Sequence, residues 1–323
     1  MKSILCWMWS EPGAPAIPKP PDAPVIPEGT QFYTAKSTVL RTAPPPSQAD
    51  PTESIDARQL RERRDRLRAR YPDRKIPRIP RPPRPRGPIL AKQRLPRLFD
   101  AEQVNVLQRM CARHMSEPHR FICIADSGEG LSPDVEWIET PPEARALASV
   151  RSPEGERFPS CYRRLWVFSE AARVLGDHIL CTDIDAVVMA SLMPLFDYPH
   201  DFVGWRPFRD WGAKLRFGGG SYLLRPGTRT KVWTDFVQNP QGAIAAARAA
   251  GYRGSDQAWM SYCLAGKEPY WPQNCGIYSV RDLGPGLALP PDARLVHFNG
   301  TTKPNHHASG HVAPVKWVLD HWR

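Results

Sequence analysis

The sequence predicts an α/β fold built on a mainly parallel β-sheet, and three observations support this class. Apolar segments of strand length alternate with segments in which apolar residues recur every three to four positions, over residues 120–188. This alternation is typical of sheets whose parallel strands are joined by helices. Asp126 and Asp183 each follow directly after a predicted strand. Because ligands collect at the carboxyl ends of such strands, both residues are candidates for a functional site.

The first elements stand on either side of a long proline-rich segment. Residues 3–9 predict a short buried strand, whereas residues 10–48 lack periodicity and indicate disorder or a polyproline-like extension. A cap, a first-turn proline and a capping box at Asp50–Glu53 predict a helix over residues 51–70. Residues 72–97 then return to proline and arginine.

The same segment carries the positive charge of the chain. Of the 37 prolines, 19 lie in residues 10–97, and residues 58–97 hold 16 Lys and Arg against 3 acids, a net charge of +13 where the whole chain has +11. We therefore expect a folded domain made of residues 1–9 and 98–323, interrupted by a basic insertion at 10–97. Residues 58–97 are a candidate contact for an anionic partner.

The remaining elements follow in regular order after the insertion. The first half has a helix capped by Asp100, strands at 120–125 and 135–138, a helix at 161–175 stopped by Gly176, and a strand from residue 179. The second half has strands at 201–205, 221–225 and 294–298, helices near 229–238, 241–250 and 255–264, and a terminal helix or coil.

The segment 179–188 is the most informative part of the sequence, because an apolar run there ends in Asp183-Ile184-Asp185. Side chains two positions apart on an extended segment point the same way, so both carboxylates can face one point. They repel each other unless a cation or a proton lies between them. Oxygen ligands suit magnesium or manganese, especially where the ion also holds substrate phosphates. A strand-end turn with two solvated acids would give the same pattern, so both interpretations stay open at this point.

Three further motifs follow in the chain. They are Gly219-Gly220-Ser221, Asp256-Gln257, and His297-x-x-Gly300-x-x-Lys303-Pro304. Together with Asp183-x-Asp185 they resemble the GT-A sugar-nucleotide transferases, especially glycosyltransferase family eight, the glycogenin and galactosyltransferase-like enzymes. The resemblance covers residues 3–9 and roughly 99–305.

The resemblance implies a Rossmann-like nucleotide-diphospho-sugar transferase fold and a hexosyltransferase that retains the anomeric configuration. The implied donor is a nucleotide-sugar, with a UDP-sugar favoured, and the acceptor is a glycan, a protein or a lipid. Asp185 and His297 would bind a divalent metal, with Asp183 contacting the metal or the ribose. An imidazole beside carboxylates favours manganese over magnesium. Lys303 would place a cation on the phosphate, near backbone amides at Gly300.

Other residues receive roles from the same resemblance. Asp256 and Gln257 would lie beside the transferred sugar as catalytic residues, and Asp126 would touch the nucleobase or cap a turn. The residues that would approach the sugar as substrate-binding groups are Gly219, Gly220 and Ser221.

The sequence departs from the family pattern in several places. Gly219-Gly220-Ser221 replaces the usual Asn-Ser-Gly turn, and Asn305 replaces the usual Trp after Lys-Pro. Arg164 stands where many relatives carry a helical lysine near the nucleotide. The histidines on the polar segment after Lys303 are expected at the surface; they are His306, His307 and His311.

Two other functions stay open. A haloacid-dehalogenase-like phosphohydrolase also has a strand ending in Asp-x-Asp, with the first Asp as nucleophile. Ala186-Val187 replaces its Gly-Thr here, and Asp256 is followed four residues on by Met260 instead of Asp. Alternatively, the basic insertion on a degenerate transferase domain binds nucleic acid or an anionic surface.

The cysteine pattern indicates a reducing compartment. Seven cysteines occur with no C-x-x-C pair, and the odd count does not form a disulfide framework. No run approaches the roughly 18 apolar residues that a membrane span needs. We therefore expect a cytoplasmic protein, including a location at the membrane periphery.

Overall fold

The computed structural model describes residues 1–8, 99–152, 161–207, 217–284, 286–300 and 302–323. The predictions made for residues 10–97, including the helix over 51–70 and the anionic contact of residues 58–97, lie outside the described residues.

Nine strands in the described residues form two sheets, and the larger sheet confirms the predicted fold class. The strands are β1 (Lys2–Met8), β2 (His119–Ala125), β3 (Glu136–Glu139), β4 (His178–Thr182), β5 (Ala186–Val188), β6 (Phe202–Gly204), β7 (Ser221–Leu224), β8 (Ile277–Ser279) and β9 (Leu295–His297). The six-stranded sheet has the order β3-β2-β1-β4-β7-β6, and β5-β9-β8 form a smaller sheet. Strands β1 to β4 of the larger sheet pair in parallel, and β7 pairs antiparallel with both β4 and β6.

Seven α-helices and four 3₁₀ helices surround these sheets in the described residues. The α-helices are α1 (Ala101–His114), α2 (Pro142–Arg145), α3 (Lys231–Gln238), α4 (Pro240–Ala249), α5 (Asp256–Leu264), α6 (Pro304–Ala308) and α7 (Lys316–His321). The 3₁₀ helices are Ala146–Ser149, Cys161–Phe168, Glu170–Leu175 and Met193–Phe196. Helix α1 begins as predicted, because Asp100 Oδ1 accepts a hydrogen bond from Gln103 N at 3.2 Å.

The larger sheet divides the hydrophobic core into two layers. Side chains alternate along β1, so Ile4 and Cys6 pack in one cluster with α1 and the smaller sheet. Leu5 and Trp7 point to the opposite side and pack with the first three 3₁₀ helices and α3 to α5. The alternation follows from the two-residue period of a strand that is buried on both faces.

The predicted helix over residues 161–175 is wrong in type. The structure has two 3₁₀ helices there, separated at Ser169, whose backbone is extended (φ −73°, ψ 157°). Six of the eight residues 161–168 are buried, among them Tyr162, Leu165 and Phe168 at three-residue spacing. Residues i and i+3 eclipse in a 3₁₀ helix, so these three side chains lie on one face of it.

Two elements near the carboxyl end were not predicted. Strand β8 pairs in parallel with β9, and helix α6 begins immediately after Lys303.

Among the described residues, no helix is both long enough and apolar enough to cross a membrane.

Gly204 provides the first testable prediction, because it faces the ring of Phe217 in the core. A Cβ atom added at Gly204 would overlap that ring, and Phe217 is fully buried. We expect Gly204→Ala to lower the free energy of unfolding by about 3 kcal/mol, as overpacking of a rigid core does. Denaturant unfolding measures this change. Gly286→Ala is the control, since a Cβ atom there meets nothing within 4 Å; equal unfolding midpoints for the two variants would contradict the prediction.

Candidate functional site

The pairing of β4 with β7 brings the glycine turn to the Asp-x-Asp segment. The antiparallel register places Thr182 opposite Ser221, so the residues just outside both strands are neighbours. Asp183 N donates to Gly220 O at 2.9 Å. Two motifs that are 37 residues apart in the sequence therefore meet at the carboxyl end of β4, the edge of the sheet where the parallel strands end.

The smaller sheet brings the histidine motif to the same place. Strands β5 and β9 pair with Ala186 opposite His297, and Phe298 N donates to Asp185 O at 3.0 Å. Ser221 Oγ lies 2.8 Å from His297 Nε2 and links the two sheets through side chains. The side chain of His297 thus lies between the Asp-x-Asp segment and the glycine turn.

His297 is a fully buried, neutral imidazole. Burial lowers the pKa of His297 to about 4. Its Nδ1 atom is buried and has no hydrogen-bond partner within the described part of the chain, and the ring of Trp205 lies 5.1 Å away between centroids. An orphaned buried nitrogen is uncommon and marks a position where a ligand atom can bind.

Arg164 joins two of the predicted acidic residues. Its guanidinium pairs with Asp183, and its Nη2 atom lies 2.7 Å from Asp256 Oδ2. Burial lowers the pKa of Arg164, but the charges of Asp256 and Asp183 outweigh that effect, so the pKa is held well above its usual value. Arg164 therefore stays charged and fixes both carboxylates relative to each other.

Asp256 and Gln257 lie at the start of α5, beside the glycine turn. Asp256 is 7% exposed and also accepts a hydrogen bond from Ser255 Oγ at 2.9 Å. Burial raises the pKa of Asp256, and the charge of Arg164 opposes that shift. Gln257 Oε1 accepts from Gly219 N at 3.2 Å. The structure thus brings both predicted catalytic residues to the Asp-x-Asp segment.

Lys303 supplies the second positive charge of the site. Its ammonium pairs with Asp185 Oδ2 and donates to Phe298 O at 2.9 Å. Burial raises the pKa of Asp185, and the charge of Lys303 opposes that shift. Gly300 precedes Lys303 with φ +123°, a conformation that glycine adopts without strain. The loop can therefore turn back and return Lys303 to the carboxylate.

The predicted metal ligands fit a divalent cation by residue type. They are two carboxylates, Asp183 and Asp185, and the neutral imidazole of His297 with its unpartnered Nδ1. Among the described residues, however, no group of three or more His, Cys, Asp or Glu side chains is arranged to hold a metal ion. The positive charges beside the carboxylates belong to Arg164 and Lys303. A metal at these ligands therefore has to compete with the two cationic side chains.

The glycines of the turn leave room for these side chains. A Cβ atom at Gly219 would lie 3.1 Å from Gln257 Cβ and 3.3 Å from Arg164 Nη2. A Cβ atom at Gly220 would lie 3.0 Å from His297 Nδ1. Substituting either glycine would push on a side chain that lines the site.

The structure gives Asp126 partners that the sequence did not name, and it corrects the expectation for two histidines. The carboxylate of Asp126 is engaged by arginines, with Arg163 Nη1 at 3.2 Å and Arg145 Nε at 3.8 Å. The expectation that His306 and His307 are surface residues is wrong, because both are buried. His306 Nδ1 accepts from Lys303 N at 3.1 Å and caps α6, so its role is structural.

Arg164 and Trp205 make contacts in the site that the sequence did not predict. Arg164 was placed near the nucleotide by resemblance alone, and its link to Asp256 crosses 92 residues. Trp205 lies one residue beyond β6, and its contact with His297 depends on the pairing of β6 with β7. No local sequence pattern encodes either contact.

Comparisons with known proteins give similar structures but no sequence family. No protein-family model matches the chain, and no curated protein matches it. The galactosyltransferase LgtC, solved in complex with donor and acceptor sugar analogues, is 15% identical with a TM-score of 0.46, covering 67% of this chain and 95% of LgtC. An active-site mutant of LgtC is 16% identical with a TM-score of 0.49, covering 68% and 90%. Mouse xyloside xylosyltransferase 1 is 14% identical with a TM-score of 0.42, covering 62% and 93%.

Proposed function

We propose that this protein is a metal-dependent glycosyltransferase that moves a sugar from a nucleotide-diphosphate donor, with a UDP-sugar favoured, to an acceptor hydroxyl with retention of configuration. One observation carries the proposal. Five charged side chains from separate parts of the chain meet at the end of β4 as two linked groups, Arg164 with Asp183 and Asp256, and Lys303 with Asp185.

The reaction creates charge at two places that these groups can stabilise. The bond between the anomeric carbon and the diphosphate oxygen breaks, and the acceptor oxygen forms a bond to that carbon. The acceptor proton leaves to the departing phosphate or to solvent. The positive charge of Lys303 can stabilise the diphosphate as the negative charge of that group increases. The buried carboxylate of Asp256 can stabilise positive charge that develops on the sugar ring.

The charge balance of the cluster favours an additional cation. Three carboxylates face two cationic side chains, so the cluster is net negative when all are ionised. A diphosphate adds further negative charge, which the low-dielectric site tolerates poorly. A divalent ion, manganese in preference to magnesium, would be held by Asp183, Asp185 and His297 and would act as a Lewis acid on the phosphates.

Hydrolysis of a panel of UDP- and GDP-sugars tests the proposal, with and without manganese. We expect manganese-dependent release of the nucleotide from one donor, and a loss of at least about 100-fold in Asp185→Ala, as when a group that stabilises developing charge is removed. Asp177→Ala is the control, because Asp177 is 82% exposed and its only described ion pair is with the amino terminus. Absence of both turnover and metal-dependent nucleotide binding in the wild type would contradict the proposal.

We expect Lys303→Met to change the affinities for manganese and for UDP in opposite directions. Removing the ammonium frees Asp185, so we expect manganese to bind the nucleotide-free protein more tightly. The same change removes a cation from the phosphates, so we expect UDP to bind about tenfold more weakly, close to the value of one charge-assisted hydrogen bond. Calorimetric titrations with manganese and then with UDP measure both affinities.

Lys316→Met is the matched control, because Lys316 is 87% exposed and, among the described residues, its ion pair is with Asp320 on the same helix. It should change neither affinity. If Lys303→Met changed both affinities in the same direction, the proposed competition between Lys303 and the metal would be wrong.

A further inference from the structure

A cavity lies beside Phe298, Asn299 and Thr302, close in the chain to Lys303. It has a volume of about 630 Å³, within the range of small-molecule sites. Its walls come from the segment after β8, the loop after β9 and the segment between α6 and α7. Apolar side chains predominate, among them Leu287, Phe298, Val312 and Val315, and the polar side chains are those of Asn299, Thr302 and His307.

As far as the structure describes it, the lining offers no charged side chain to a nucleotide donor, and Gly300 is the one candidate donor-site residue among the residues that line it. Among the described residues that form its walls, none is Asp, Glu, Lys or Arg. A diphosphate needs cationic partners or clustered backbone donors, and burying it against apolar walls would be unfavourable. The occupant that fits is uncharged and mostly apolar.

Phe298 connects the cavity to the candidate donor site. Its side chain lines the cavity, while its backbone contacts both members of the Asp185–Lys303 pair. Phe298 N donates to Asp185 O at 3.0 Å, and Lys303 Nζ donates to Phe298 O at 2.9 Å. A molecule in the cavity is therefore separated from the charged cluster by one residue of the loop.

Leu287 lines the cavity and has a backbone conformation that is unfavourable for its residue type. It has φ +48°, in the left-handed region that an L-residue with a branched side chain rarely adopts. Trp317 Nε1 donates to Leu287 O at 2.9 Å and fixes this conformation. Strained residues that the surroundings hold in place occur preferentially at ligand sites.

We propose that this cavity binds an apolar aglycone of the acceptor, so that the acceptor hydroxyl is presented across the loop to the donor sugar. This assignment rests on the proposed glycosyltransferase function. It defines the acceptor class as an uncharged glycoside with an alkyl or aryl group.

Binding of simple glycosides to the full-length protein tests the assignment. The probes are monomeric octyl β-glucoside, phenyl β-glucoside and free glucose, titrated by calorimetry in the presence of UDP. We expect at least one of the two glycosides to bind ten times more tightly than glucose, and the ratio between them identifies an alkyl or an aryl aglycone. Leu287→Asn should weaken that binding tenfold. Asparagine tolerates the left-handed backbone, so the thermal unfolding midpoint should be close to that of the wild type.

Leu319→Asn is the matched control, because Leu319 is an exposed leucine on α7 that does not line the cavity. It should bind the glycosides as the wild type does. Equal affinity of the wild type for all three probes, or unchanged binding by a folded Leu287→Asn, would overturn the assignment. UDP binding without glycoside binding overturns the cavity assignment alone. Glycoside binding without any nucleotide binding overturns the proposed function and, with it, the acceptor role of the cavity.

Discussion

Replacing Arg164 with methionine is expected to destabilise the protein and to abolish its activity together. Arg164 is 14% exposed, and its removal leaves the carboxylates of Asp183 and Asp256 without their shared cation. Removing one partner of a buried ion pair lowers the free energy of unfolding by about 3–5 kcal/mol, because the other charge is left buried and unpaired. Denaturant unfolding measures the loss, and nucleotide release from the donor measures the activity.

Two further variants serve as controls for the result with Arg164→Met. Arg173→Met removes an exposed pair with Glu170, in which both side chains are more than 60% exposed, and should cost less than about 1 kcal/mol. Arg164→Lys keeps one positive charge but loses the guanidinium fork that reaches both carboxylates. Compared with Arg164→Met, it should therefore regain more of the free energy of unfolding than of the activity. An unfolding midpoint for Arg164→Met equal to that of Arg173→Met would show that the pair network does not support the fold.

Asp256→Asn is expected to reduce turnover while leaving nucleotide binding in place. The amide keeps the shape and a hydrogen-bonding oxygen, but it removes the charge that would stabilise an oxocarbenium-like state. We expect kcat to fall by about 100-fold or more, as for other preorganised electrostatic groups, with the Kd for UDP changed less than threefold. Steady-state kinetics with the donor that the hydrolysis panel selects and a UDP titration give the two values.

The control for Asp256→Asn lies two helices upstream. Asp235→Asn changes an exposed aspartate of α3 and should leave kcat unchanged. If Asp256→Asn retained wild-type kcat, Asp256 would be a structural partner of Arg164 and not a catalytic residue. If it lost UDP binding as well, its role would lie in assembling the site.

The sequence predicted where β4 ends, because a continuous apolar run there leads into Asp183-Ile184-Asp185. The resemblance to GT-A transferases added His297 and Lys303 as candidate residues, and the structure places both beside that segment. The contacts themselves depend on strand register and side-chain conformation. The pairing of Arg164 with Asp256 joins residues 92 positions apart, and no periodic pattern predicts such a pairing.

The errors in the prediction have local physical causes. Apolar residues in the segment 161–175 suit either type of helix, and six of the eight residues 161–168 are buried, so the pattern does not distinguish a 3₁₀ helix from an α-helix. Strand β8 has three residues, too few to show alternation. His306 and His307 lie in a polar segment, yet they are buried because α6 packs inward after Lys303.

The hydrogen bond between Ser221 and His297 makes the site a late product of folding. It spans 76 residues and joins the two sheets, so it forms only after both are paired and docked. Before β9 pairs with β5, His297 and Lys303 are not yet beside the carboxylates of the Asp-x-Asp segment. The candidate nucleotide site is therefore incomplete at that stage. Contacts of such sequence separation form slowly because loop closure precedes any gain from pairing. Under the proposed function, donor binding therefore requires the completed fold, and a nascent or partly unfolded chain has no donor site.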